Sequence, residues 1–226
     1  MGKFIDIKFL PAPRNDGGGQ ASGRKLKSMA MNSRDEKPGY EGVFSGRPLE
    51  RQEVVEILDV WDRESSWRAK EESPDQEQVH KLLDGLCDGA GIDLFSLAVF
   101  KNQFQLDNDF LPAPDGGVMR MALFLVPLGT EEASFARGVI DVLGPAGFTA
   151  GWGLQTSDYG GKTWRVLLVL SNMESVAQSE GAMARVESSL NAVLEPAKAQ
   201  SLLHHIKWKN PLAQAGLAVS GGMNQS

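Results

Sequence analysis

The sequence holds a single cysteine, Cys87, which excludes an internal disulfide and any zinc site assembled from cysteine pairs. On its own Cys87 reads as a small buried apolar side chain. Histidine is almost as scarce, with His80, His204 and His205 the whole supply, so few bases are available to activate a nucleophile. No apolar run approaches the ~20 residues of a membrane-crossing helix. The opening MGKFIDIKFL places Asp6 and Lys8 where a secretory signal would keep an unbroken apolar stretch, and position 6 lacks the Ser or Thr of a myristoylation signal. A cytoplasmic location with no membrane association is expected.

What is present is ordinary for a folded chain: 226 residues, 42% hydrophobic and 23% charged, enough to bury a core without staples. The net charge of -6 is unevenly spread. Residues 1–40 carry eight of the 23 Lys/Arg and four of the 29 Asp/Glu, leaving 15 against 25 for the rest. An acidic body repels a phosphate backbone, so nucleic acid is an expected partner only for a basic N-terminal loop. Its candidate phosphate contacts are Arg14, Arg24, Lys25, Lys27, Arg34 and Lys37.

Along the chain, FIDIKFL alternates closely enough to be a strand ended by Pro11. Residues 14–41 show no period and much Gly and Ser, and read as a long mobile basic loop. Pro48 at a first helical position, with Val54, Ile57, Leu58 and Trp61 on one face, predicts an amphipathic helix to about Lys70. Ser73, Pro74 and Gln76 form a capping box for a second helix carrying Val79, Leu82, Leu83 and Leu86. IDLFSLAVF and FQLDNDF read as strands. From Gly117 the order becomes strand, helix, two strands, helix, strand, with the first helix capped by Thr130 and the second stopped by Pro196. The first and third of these strands are apolar on both faces, as central strands are.

The expected fold class is therefore α+β: a C-terminal ferredoxin-like βαββαβ unit over 117–210, packed against an N-terminal α/β half over 1–116, with a flexible tail over 211–226. The apolar sheet face left bare by the unit's own helices is expected to be covered by the helices around Trp61 and Leu82. FLPAP occurs twice, at 9–13 and 110–114. Its flanks do not align, so it reads as one kind of strand exit used twice rather than as a repeat.

Few motifs carry chemistry. Gly18 to Lys25 has the glycine spacing of a phosphate-binding loop, but Arg24 stands where lysine is required and Leu26 where a hydroxyl would hold magnesium. His204 and His205 are neighbours on a strand and must face opposite ways, so they cannot serve one metal or one site. Without a catalytic set, the leading expectation is a non-enzymatic protein-binding regulator, inhibitor, adaptor or immunity-type protein with no cofactor and no metal. Its partner would be another protein of unknown identity, with a homodimer also open, engaged through an aromatic edge of Trp152, Asp158 and Tyr159 together with His205. An enzyme with a site between the halves requires the fold to bring His204 or His205 beside carboxylates in a pocket.

Overall fold

The computed structural model describes residues 2–11, 37–50, 54–74, 76–77, 81, 103–107, 117–143, 148–159 and 161–207. The Walker-like stretch, basic residues 14–34, His80, Cys87, the strand expected at 92–100, the second FLPAP and the tail lie outside them. The side chains at 9–11, 54, 158 and 159 also lie outside the description.

Among the described residues, two antiparallel sheets and three helices make a mixed α+β fold. The first sheet contains β1 (Phe4–Pro11), β2 (Tyr40–Gly46), β3 (Val54–Trp61) and β4 (Gln103–Gln105), ordered β2-β3-β1-β4, with α1 (Glu64–Glu71) after β3. The second contains β5 (Val118–Pro127), β6 (Phe148–Trp152), β8 (Lys162–Met173) and β9 (Gln200–Ile206), ordered β6-β8-β5-β9, with the short β7 (Ser157–Tyr159) paired to β8. Helix α2 (Glu132–Leu143) follows β5, and α3 (Val176–Ala197) precedes β9. Leaving β7 aside, both sheets have the same order: second strand, third, first, fourth.

Period-two patterning decides which faces meet. In the first sheet Ile5 lies beside Val60, and Ile7 and Phe44 lie beside Leu58. In the second, Met121 lies beside Leu170, Leu123 beside Leu168 and Leu125 beside Val166. These residues belong to one buried cluster with Phe104, Leu106, Met119, Trp164 and Ile206, so the sheets pack face to face. At about 1.5–3 kcal/mol for each large apolar side chain removed from water, this shared core is the main bond between the halves. The cover on the second sheet's inner face is thus the first sheet, where helices were expected.

The sheet edges also meet. Phe104 of β4 bridges Gly153 beyond β6, and Pro48 beyond β2 bridges Ile206 of β9. Flanking amides donate across each seam, Leu154 N to Gln103 O at 2.9 Å and Leu49 N to His205 O at 2.8 Å. A glycine stands at the same point of each: a Cβ on Gly151 would lie 2.4 Å from Gln105 O, and one on Gly46 would lie 2.5 Å from Ile206 Cγ2. Only glycine lets the strands approach this closely.

The outer faces carry the helices. Phe124, Val126, Phe135, Val139, Leu167, Val169, Leu190 and Leu194 pack α2 and α3 on the second sheet. Phe4, Trp61 and Trp67 pack α1 on the first. The cap of α2 is Glu131 rather than Thr130, its carboxylate accepting from Ala133 N and Ser134 N at 3.2 and 2.6 Å. Helix α3 is capped by Ser175, which accepts from Gln178 N at 3.1 Å. It runs through Pro196 to end at Lys198 in the left-handed conformation.

The helix expected from Pro48 to Lys70 is instead β3 followed by α1. Val54, Val55, Ile57 and Val60 favour an extended backbone. Glu56 and Asp59 mimic the solvated face of a helix, yet both are buried on opposite sides of the strand. Residue 40, assigned to the mobile loop, begins β2.

Candidate active site

Among the described residues, buried polar side chains gather at three places. The first is inside the shared core. Glu56 of β3 and His204 of β9 come from opposite sheets and are 0% and 1% exposed, with Glu56 Oε1 2.9 Å from His204 Nδ1. With Glu56 ionised, its carboxylate accepts from Nδ1–H and the ring's basic lone pair is on Nε2. Met121 stands directly opposite His204 across the β5–β9 ladder, with Leu202 and Ile206 two residues to either side on the same face of β9. The pair is thus set in apolar walls.

The second lies between the second sheet and α3. His205, facing the other way from His204, places Nε2 2.7 Å from Ser179 Oγ. Its Nδ1 is bonded to Glu50 Oε1, and its backbone amide donates to Glu50 Oε2 at 3.0 Å. Burial works to raise the Glu50 pKa, but the bonds from the His205 backbone and ring outweigh it and hold the carboxyl below its ordinary value.

The third lies under α1. Lys8 Nζ is 2.5 Å from Asp6 Oδ2 and 3.4 Å from Asp59 Oδ2, so one ammonium joins carboxylates that face each other across β1 and β3. Gln103 Nε2 reaches Asp6 Oδ1 at 3.3 Å. Burial opposes ionisation of Asp6, but Lys8 and Lys70 overcome it and its pKa is lowered. Lys70, also buried and paired with Glu71, is pushed down to about 8 by burial first and Lys8 second. Among the described residues no group of three or more His, Cys, Asp or Glu is arranged to hold a metal ion.

No protein-family model matches the sequence, and no curated protein matches it. Solved structures do match, over nearly the whole chain and therefore across both sheets. An anthrone oxidase-like protein has TM-score 0.57 at 10% identity, covering 92% of each chain. A candidate monooxygenase from Fusobacterium nucleatum has TM-score 0.53 at 9% identity, covering 93% of this chain and 95% of that one. A candidate chlorite dismutase has TM-score 0.50 at 13% identity, covering 93% and 96%. At these identities the likeness is one of fold, the ferredoxin-like α+β kind.

These neighbours overturn the expectation of a non-enzymatic regulator, inhibitor, adaptor or immunity-type protein, since the proteins that share the fold bear the names of enzymes. The nucleic-acid alternative rested on six basic residues of the N-terminal loop. Of its residues, Lys37 alone is described, in the turn before β2. The reason for the misreading is physical: His204 and His205 each lie beside a carboxylate far away in sequence, which spacing along the chain does not reveal.

Of the residues chosen as an aromatic edge, His205 is not brought to the sheet edge that carries Trp152. Trp152 is half-buried on β6, its ring 6.3 Å from that of Phe135 beneath the helices. Asp158 and Tyr159 form the end of β7. His205 is buried at the other edge of the sheet. Sequence reasoning missed Glu50, Glu56 and Ser179. The usable signal for Glu56 was its place in VVEILDV, where an acid among β-branched residues implies a buried partner.

No helix among the described residues is long and apolar enough to cross a membrane.

Proposed function

We propose that the chain is an enzyme that takes a proton from a carbonyl-activated methylene of a small aromatic substrate and directs its oxidation by dioxygen. His204 is the base, Glu56 holds it, and the site is the interior shared by two ferredoxin-like halves. The observation that carries this reading is the Glu56–His204 pair, fully buried at 2.9 Å between the two sheets.

The chemistry follows from the pair and its walls. Proton transfer to Nε2 makes an imidazolium whose charge the adjacent Glu56 carboxylate stabilises, more strongly in a water-poor interior than in solvent. Glu56 also fixes the ring's tautomer and orientation. Met119 and Met121 give the walls adaptable, polarisable surface suited to a flat aromatic ligand. The name of the anthrone oxidase-like neighbour supports the reaction class. The overall change balances without an external reductant: R–CH2–R′ and O2 give R–CO–R′ and water, one oxygen atom going to each product.

The test is turnover of anthrone in air, followed by oxygen uptake and product absorbance. Loss of a positioned general base costs on the order of 100-fold in rate, the fall expected for His204→Gln. Glu56→Gln, which keeps the shape and removes the charge, is expected to lose rate while remaining folded. If the pair serves only to pin the halves together, both variants lower the melting temperature and leave turnover unchanged.

A further inference from the structure

We propose a second, independent reactive centre: Ser179, His205 and Glu50 form a nucleophile, base and orienting carboxylate for acyl transfer from small activated esters. The three come from separate elements, Glu50 from the segment after β2, Ser179 from the first turn of α3, and His205 from β9. Their hydrogen bonds run in one direction. Glu50 accepts from Nδ1–H of His205, which leaves Nε2 as the acceptor for the Ser179 hydroxyl at 2.7 Å. Glu50 also accepts from the His205 backbone amide at 3.0 Å, so the carboxylate is locked against the residue it orients.

The surroundings favour charge on the serine oxygen. Ser179 stands near the positive end of the α3 dipole, which stabilises an alkoxide. Glu50, held below its ordinary pKa, keeps the negative charge that a protonated His205 requires. None of these groups belongs to the Glu56–His204 pair, which lies on the opposite face of β9.

Access comes from the Glu50 side. Ser179 is 0% exposed, whereas the Glu50 side chain is 40% exposed, and the 47–50 segment is tied to β9 through the Pro48–Ile206 bridge and the Leu49 N to His205 O bond. Lifting that segment opens the centre, which restricts it to short acyl groups. In the reaction Ser179 Oγ bonds to the acyl carbon as its proton passes to His205 Nε2. The carbon–oxygen bond to the leaving alcohol then breaks and that alcohol takes up the proton. Water attacks the acyl-serine next, releasing the acid and restoring the hydroxyl.

The experiment uses the full chain and p-nitrophenyl acetate, with release of p-nitrophenolate followed by absorbance and the acetylated residue located by peptide mass spectrometry. Acetylation of Ser179 in the folded protein is expected, absent in Ser179→Ala and retained by the thiol of Ser179→Cys. His205→Gln is expected to slow it roughly 100-fold. Glu50 acts through His205 as a positioning residue, so Glu50→Asp keeps more of the rate than Glu50→Gln, a difference that loss of packing alone does not produce. The proposal is overturned by acetyl groups found only on lysines, by no acetylation, or by Ser179 reacting at the same rate in His205→Gln or in urea-unfolded protein.

Discussion

Replacing Gly151 by alanine places a methyl group where β4 and β6 nearly touch. The added Cβ would sit 2.4 Å from Gln105 O and 3.0 Å from Gln105 C, both backbone atoms that no rotamer change can move aside. The strands must separate until the contact reaches an ordinary distance. That movement strains the Asp107 N to Ala150 O bond at 2.9 Å, the Leu154 N to Gln103 O bond at 2.9 Å, and the Asp107 carboxylate bonds to Thr149 Oγ1 and Ala150 N at 2.7 and 2.9 Å. Overpacking of this kind costs about 1–3 kcal/mol, and each weakened hydrogen bond adds up to about 1 kcal/mol. A total of about 3 kcal/mol lowers the melting temperature of a domain this size by roughly 6–12 °C. Gly181→Ala is the control. It lies on the exposed side of α3 with nothing within 4 Å of the added methyl, so removing a helical glycine is expected to stabilise by about 0.5–1 kcal/mol. Thermal melting by circular dichroism gives both values. Close approach of β4 and β6 at Gly151 is refuted if Gly151→Ala melts with the wild type or above it.

Leu168→Ala removes a fully buried side chain from the core common to both sheets and is expected to cost about 2–5 kcal/mol, seen as a downward shift of one transition. Two melting steps, only one of them moved, contradict a shared core. Lys70 has its pKa pushed down to about 8. Between about 8 and its ordinary value the unfolded chain keeps a proton the folded chain has released, so stability from this group rises with pH through that window. Below about 8 both forms are protonated and the penalty is complete. Urea unfolding should therefore show the wild type gaining on Lys70→Met as pH is raised from about 7.5 to about 10, and a constant difference rejects the assignment. Ser175→Ala removes the cap bond to Gln178 N and is expected to cost about 1 kcal/mol, with no loss of helix beyond the first turn of α3 by hydrogen exchange.

Much of the second half was legible because its strands and helices obey their periods without conflict. Met121, Leu123 and Leu125 alternate with Ala122 and Phe124 on a strand whose two faces are both covered, by the other sheet and by the helices. The first half was less legible. VVEILDVW satisfies a helical stripe and a strand alternation alike, and its two acids, which would suit the solvated face of a helix, are buried with distant partners. Glu56 meets His204 across 148 residues, and Asp59 meets Lys8 across 51. FLPAP was read as a strand exit used twice, and its second copy lies outside the described residues. The first copy does close β1, but the resemblance between the halves lies in strand order and in the matched glycines at 46 and 151, which local sequence does not display. The opposite facing of His204 and His205 was readable from strand geometry alone. Their partners were not, since Glu50 and Ser179 each looked like an ordinary polar residue of a helix.

The most direct test of the proposed enzyme separates proton removal from oxidation. Anthrone is incubated with the protein in deuterated buffer with oxygen excluded, and deuterium entering its methylene is followed by proton NMR against the uncatalysed background. The wild type is expected to speed this exchange, His204→Gln to return it to background, and Glu56→Gln to fall between them. Exchange at background rate in the wild type, or equal acceleration by wild type and His204→Gln, contradicts a base at His204.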